Sequence, residues 1–183
     1  MDLLTFGLIL FFALHAIPFV PGLRNRLYER FGEKAWKIGF SLVALTGLVI
    51  IGFGYANAPY EPLWSFPKWG SQLTIYAMAP AFILMAAGNL KGHIRKILRH
   101  PMLIGFFIWG AGHMLANGDL ASTKLFGAFA VFSLAAIVSA EARNKVSGHT
   151  PALKEDFKAI FGGLVIYAVV FFAHGWLFGA PLG

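Results

Sequence analysis

Cysteine is absent from the 183 residues, which removes disulfides, thiolate metal sites and cysteine nucleophiles from consideration. Charge is nearly as scarce. Only 13% of the chain is Asp, Glu, Lys or Arg, about half the usual share of a soluble domain and too little to clothe a water-soluble fold in polar side chains. Acids are the rarer sign, 8 Asp and Glu against 15 Lys and Arg, for a formal charge of +7. What fills the chain is apolar: 58% of residues are hydrophobic and 16% aromatic, the composition of a polypeptide dissolved in a bilayer. The N-terminal MDLLTFGLILFFALHAIPFV has no basic stretch ahead of its apolar run and no small-residue cleavage site. It reads as a retained span, not a signal peptide.

Apolar segments recur near residues 3–20, 36–56, 73–90, 101–116, 122–140 and 159–178, each close to the length that crosses about 30 Å of hydrocarbon. They predict an all-α, polytopic membrane bundle of about six transmembrane helices in a single domain, 1–183. The basic residues follow the connections. Arg24, Arg26, Arg30, Lys34 and Lys37 occupy the first, Lys91, Arg95, Lys96 and Arg99 the third, and Arg143, Lys145, Lys154 and Lys158 the fifth. Only Lys68 and Lys124 fall on the other side. This asymmetry places the first, third and fifth connections in the cytoplasm and both termini outside. It also explains the net charge without nucleic acid, since no aromatic-laced basic face forms. The second connection, NAPYEPLWSFPKWGS, has the Trp, Tyr and Pro of an interfacial loop.

The chemistry rests with six histidines. His93, His100 and His149 belong to basic, water-facing connections, whereas His15, His113 and His174 lie within spans. An imidazole at membrane depth is costly, so it marks either a functional site or a hydrogen bond between helices. With no Asp or Glu in the span centres, a carboxylate proton relay is disfavoured and a ligand role favoured, because neutral imidazole binds iron well. His100 and His113 bracket RHPMLIGFFIWGAGH. Thirteen residues of helix separate them by about 20 Å and roughly 220°, so they cannot share one metal. His100 belongs at the boundary beside Arg99 and before Pro101, which suits a helix's first turn; His113 belongs near the far end. The face of His113 also carries Met102, Phe106, Trp109 and Gly110. Gly105, Gly110 and Gly112 either admit a neighbouring helix or leave clearance for a flat macrocycle. Counted by depth, His174 matches His113, while His15 sits about 10 Å deeper.

These residues resemble a known family. RHPMLIGFFIWGAGHMLANGD, with LHAIPFVPGLRNRLYERFGEKAWKIGF before it and FFAHGWLFG at the C-terminal end, resembles the NnrU family of multispan membrane proteins over nearly the whole chain. That family is similar to the membrane domain of plastid 15-cis-zeta-carotene isomerase, a haem b enzyme with two histidine ligands. The resemblance implies His15 and His113 as the iron ligands and gives His100 a match to a third histidine important in the isomerase. The chain departs from the plant pattern at Gly110, where a cysteine stands there, and at His15-Ala16-Ile17, where the pattern is His-Ser-Gly. Bacterial members are associated with nitrogen-oxide respiration.

Three functions follow as expectations. The first is a haem b protein of the bacterial inner membrane, with His113 and either His15 or His174 as axial ligands, Phe106, Trp109 and Gly110 against the macrocycle, and a lipophilic polyene or nitric oxide at the iron. The second is a membrane methyltransferase in which Arg99 and His100 of the RHP motif bind S-adenosylmethionine, with Glu141 as their partner. The third is a non-enzymatic partner or assembly factor of a respiratory complex, its histidines bonding between helices and its glycine-rich faces open to oligomer formation. Asn117-Gly118-Asp119 is a turn signal in all three.

Overall fold

The computed structural model describes residues 2–144 and 148–179; Lys145, one of the basic residues counted above, lies outside them. Eight α-helices make up the described residues: α1 (Leu3–His15), α2 (Leu23–Phe31), α3 (Glu33–Ala56), α4 (Gly70–Ala87), α5 (His93–Leu98), α6 (Pro101–Ala116), α7 (Leu120–Ala142) and α8 (Leu153–Phe178). Of these, α3, α4, α7 and α8 are long and apolar enough to cross a membrane, and α1 and α6 are shorter apolar helices. The chain is thus an all-helical membrane protein.

Helix ends follow local chemistry. The Asp2 carboxylate accepts the Thr5 amide at 2.7 Å and Asp119 accepts that of Ser122 at 2.9 Å, each satisfying a donor that a helix start leaves open. The apolar run 3–20 does not stay one helix. α1 stops at His15 and a 3-10 turn, Ile17–Phe19, follows, because Pro18 lacks an N–H and disfavours helical geometry in the residue before it. Gly22 (φ 75°) and Gly32 (φ 78°) then bracket α2. The connections expected to be plain loops therefore contain α2 and α5. In α2, Leu23, Leu27 and Phe31 share one face, flanked by Arg24 and Arg30.

The long helices alternate in direction and pack in the spatial order α3, α1, α7, α6, α4, α8. Backbone approach sets this order. A Cβ added at Gly54 would collide with the Leu4 backbone of α1, and one at Gly105 would lie 2.7 Å from the Ala81 carbonyl of α4. Between α1, α3 and α7 a core forms around Leu4, Leu8, Ile51, Leu125 and Phe126. The Tyr55 hydroxyl meets that of Ser122 at 2.9 Å. Outward surfaces are apolar instead of polar: Phe172 is 84% exposed and Trp176 86%, as expected where lipid replaces water.

Two predictions concern this packing. Gly54→Ala should lower the thermal midpoint in detergent, at a cost of about 1–3 kcal/mol for overpacking, whereas Gly52→Ala, two residues away with nothing within 4 Å of the new methyl, should be neutral or stabilising through helix propensity. At the α1 and α7 starts, the Lys124 ammonium 2.5 Å from Asp2, and then the Thr5 amide, hold the Asp2 carboxyl well below the usual carboxylate range. That tie contributes fully above about pH 4, the unfolded aspartate pKa, and is lost as pH falls below it. Asp2→Asn should therefore flatten the acid limb of the stability profile by lowering stability in the neutral region, where the tie is made, and leave the acid end nearly unchanged.

Candidate functional site

His113 lies in the last turn of α6. Its Nδ1–H donates to the Trp109 carbonyl, one turn back, at 2.8 Å. A carbonyl can only accept, so the ring is held in the tautomer that leaves Nε2 with a free lone pair. The imidazole stacks on Phe126 of α7 (centroids 4.5 Å, planes 23° apart) and tilts against Trp109 at 5.2 Å. Phe106, about two turns from His113, meets Phe129 at 5.9 Å. The clearance expected beside Gly110 is filled: an added Cβ would sit 2.6 Å from the Phe126 carbonyl and 3.1 Å from Ala130. Gly105 and Gly112 face α4 in the same way, Gly112 against Met78 and Thr74. The glycines of α6 therefore wedge it between two helices.

His15 repeats the arrangement on α1. Its Nδ1–H donates to the Phe11 carbonyl at 2.7 Å, and its ring stacks on Phe11 at 4.1 Å with Phe40 edge-on at 5.0 Å. The two rings touch α7 at different depths, His113 at Phe126 and His15 at Phe132. Six helical residues amount to about 9 Å of rise, and Phe12, Phe129 and Trp109 pack between them. His174, in the last turns of α8, packs on Phe178 at 5.0 Å, and α8 packs against α4 and α5 and not against α6. Among the described residues no three His, Asp or Glu side chains converge on a metal position.

Asn117-Gly118-Asp119 closes the His113 end. The Asn117 amide donates to the His113 carbonyl at 2.8 Å, and Asp119 caps α7. The Gly118 carbonyl accepts the amides of Leu63 and Trp64 at 2.7 and 3.1 Å, and the Leu120 amide reaches the Glu61 carbonyl at 2.8 Å. The interfacial loop is thereby clasped across the ends of α6 and α7. A cavity of about 480 Å³ lies within that loop, lined by Tyr60, Leu63, Trp64 and Phe66.

Arg99 and His100 stand at the opposite, basic end and converge on one carboxylate. Arg99 Nη2 and His100 Nε2 each lie 2.8 Å from an oxygen of Glu141 at the end of α7, with the His100 side chain only 12% exposed. Their donors thus face the chain's own Glu141. The backbone here is strained. Arg99 has φ 61° and ψ −48°, and the His100 amide reaches the Leu98 carbonyl at 2.6 Å, which is a γ-turn of the rarer, costlier hand. That turn joins α5 to α6 in a single step and delivers Pro101, fully buried, to the first helical position. The remaining histidines are held as well. His93 meets Asp156 of α8 at 2.7 Å, and His149 lies 3.1 Å from the Gly92 carbonyl. Asp156 also accepts the amides of His93 and Ile94, each at 2.9 Å. It went unremarked in the sequence, although an acid in the first turn of a helix in a basic connection is a signal.

The family model described as NnrU protein matches residues 3–182. Neither a curated protein nor a solved structure matches the chain.

Removing Glu141 leaves a guanidinium and a nearly buried imidazole without their acceptor. Glu141→Ala should cost about 1–2 kcal/mol, measured by thermal unfolding in detergent. A double-mutant cycle with Arg99→Ala should show positive coupling that shrinks with added salt.

Proposed function

The chain belongs to the NnrU family, and we propose that it is a six-span protein of the bacterial inner membrane that holds haem b through His113. The observation that carries this reading is the tautomer of His113: Nδ1 is committed to the Trp109 carbonyl at 2.8 Å, so Nε2 is a preset nitrogen donor, as in metal-ligating histidines whose other nitrogen is anchored. Trp109 and Phe126 are flat apolar rings packed on each other and on His113, so a porphyrin would enter by parting them. A haem iron takes four donors from the macrocycle, so one or two imidazoles suffice where a bare ion would need a larger cluster.

His15 has the same anchored geometry but lies about 9 Å deeper along α7, and the two rings do not face one another across a gap in this packing. His113 would hold the iron through Nε2. The second ligand, where there is one, comes from His174, at the same end of the bundle, or from His15. Bound there, haem b supplies a redox-active iron with a position for a small or lipophilic ligand, nitric oxide or a polyene. The protein's own part is to fix the imidazole, exclude water with the aromatic cluster and close the end with the clasped loop 57–69.

Six crossings require α1 and α6, about 20 and 24 Å long, to span alongside the four longer helices. Both lie inside the bundle between longer neighbours, where a short helix is shielded from lipid mismatch. The basic ends of the helices then face the cytoplasm and both termini the other side.

Purified from haem-replete cells, the protein should show a Soret band in oxidised and dithionite-reduced spectra. The band should be lost in His113→Ala and retained in His100→Ala. His174→Ala and His15→Ala distinguish the second ligand, because the substitution that removes it changes a six-coordinate spectrum to a five-coordinate one. Colourless wild-type protein, with His113→Ala altering only thermal stability, would overturn the proposal and leave the imidazole a packing role.

A further inference from the structure

The basic end contains a second built feature that the haem reading does not use. Between the end of α4 and the start of α8 lies an open surface groove of about 400 Å³ lined by Asn89, Lys91, Thr150, Lys154 and Glu155. Its walls are fixed by backbone: the Ala152 amide donates to the Lys91 carbonyl at 3.0 Å, and His149 lies 3.1 Å from the Gly92 carbonyl. Just behind it, Asp156 ties the first amides of α5 to α8. The groove is therefore a preformed feature of the junction.

Its electrostatics favour an anion. No ion pair among the described residues engages Lys91 or Lys154, whereas Glu155, the one acid in the lining, is already paired with Lys158 at 2.8 Å. Asp156 is likewise occupied by His93. Lys91, Lys154, Thr150 and Asn89 thus line one exposed surface, and the one acid among the lining residues is engaged by Lys158. α8 also starts here with no side chain capping it, so its positive dipole end adds to the field.

What lies beneath the groove is apolar. Seven residues after Lys154, Phe161 returns to the same face of α8 about 10 Å further along. Phe161 is 73% exposed, Phe157 70% and Leu153 67%. A headgroup-sized basic groove thus sits directly above an exposed aromatic stripe on a helix long enough to cross the membrane. We propose that this groove binds a phosphate headgroup through Lys91, Lys154, Thr150 and Asn89, and that the headgroup belongs to an anionic membrane lipid whose acyl chains lie along Phe157 and Phe161. The inference rests on the chain being embedded in a bilayer with this junction at its surface, and is independent of haem: colourless protein would leave it untouched.

The test uses the full chain, delipidated in mild detergent, with retention of added lipid read by native mass spectrometry. Wild type should retain phosphatidylglycerol in preference to phosphatidylcholine. Replacing both Lys91 and Lys154 by alanine should weaken phosphatidylglycerol binding about 30-fold, since each basic group near an anionic headgroup contributes a factor of about five. Lys37→Ala, a basic residue on α3 remote from the groove, should leave it unchanged. The Lys91→Arg/Lys154→Arg variant should keep the binding. Glycerol 1-phosphate in excess separates the two sources of phosphate: failure to displace the lipid assigns the acyl chains a share of the binding, and full displacement assigns the site to the headgroup phosphate alone. Equal retention of both lipids by wild type, or undiminished retention by the double alanine variant with an unchanged thermal midpoint, would overturn the proposal.

Discussion

Close backbone contact along α6 governs the rest of the molecule. A helix in lipid gains little from burying leucine against leucine, because the hydrocarbon outside is equally apolar. It gains from approaching another helix closely enough for dense packing, and α6 does this on two sides. Gly105 and Gly112 admit α4, and Gly110 admits α7. With α6 pinned on both flanks, the faces left for large side chains are narrow. Phe106, Trp109 and His113 are directed into the aromatic layer of α7, where Phe126 and Phe129 receive them. The orientation of the His113 imidazole follows from the wedge and is then locked by the Trp109 carbonyl.

The two ends of the bundle solve the opposite problem. Helix termini leave carbonyls and amides unpaired, and loops at a membrane surface must satisfy them without a thick polar shell. At the His113 end, Asn117, Gly118 and Asp119 do so within three residues, capping one helix, clasping the interfacial loop and starting the next helix. At the basic end, two carboxylates act as organisers. Glu141 gathers Arg99 and His100, and Asp156 gathers His93 and the first amides of α5. Most of the few acids have an identifiable task, and among the described residues no ion pair engages Lys91 or Lys154.

Much of this was legible in the sequence. Apolar run length and the distribution of Lys and Arg are properties of the chain itself, so the membrane class, the helical architecture and the division into a basic and a non-basic end needed no coordinates. The family resemblance carried by RHP, AGHM and NGD agrees with the family match over 3–182. The finer features were not legible, because they depend on partners distant in sequence. Nothing near Gly110 says whether its missing side chain makes room for a ligand or for α7. Glu141 was offered by the sequence as a partner of Arg99 and His100 only within the methyltransferase reading; that it binds both directly, 41 positions from His100, is seen in the fold. The α1 break could have been anticipated from Pro18, whose effect is local.

By itself the sequence determined the solvent, the long apolar helices and the candidate donors, because hydropathy, charge and histidine count are fixed residue by residue. Only the tertiary structure decided which nitrogen of His15 and of His113 is presented, which rings surround each, and that Glu141 holds both Arg99 and His100. Those outcomes depend on which helices touch, and in a chain so uniformly apolar the choice of neighbour rests on a few glycine contacts that hydrophobic patterning does not encode.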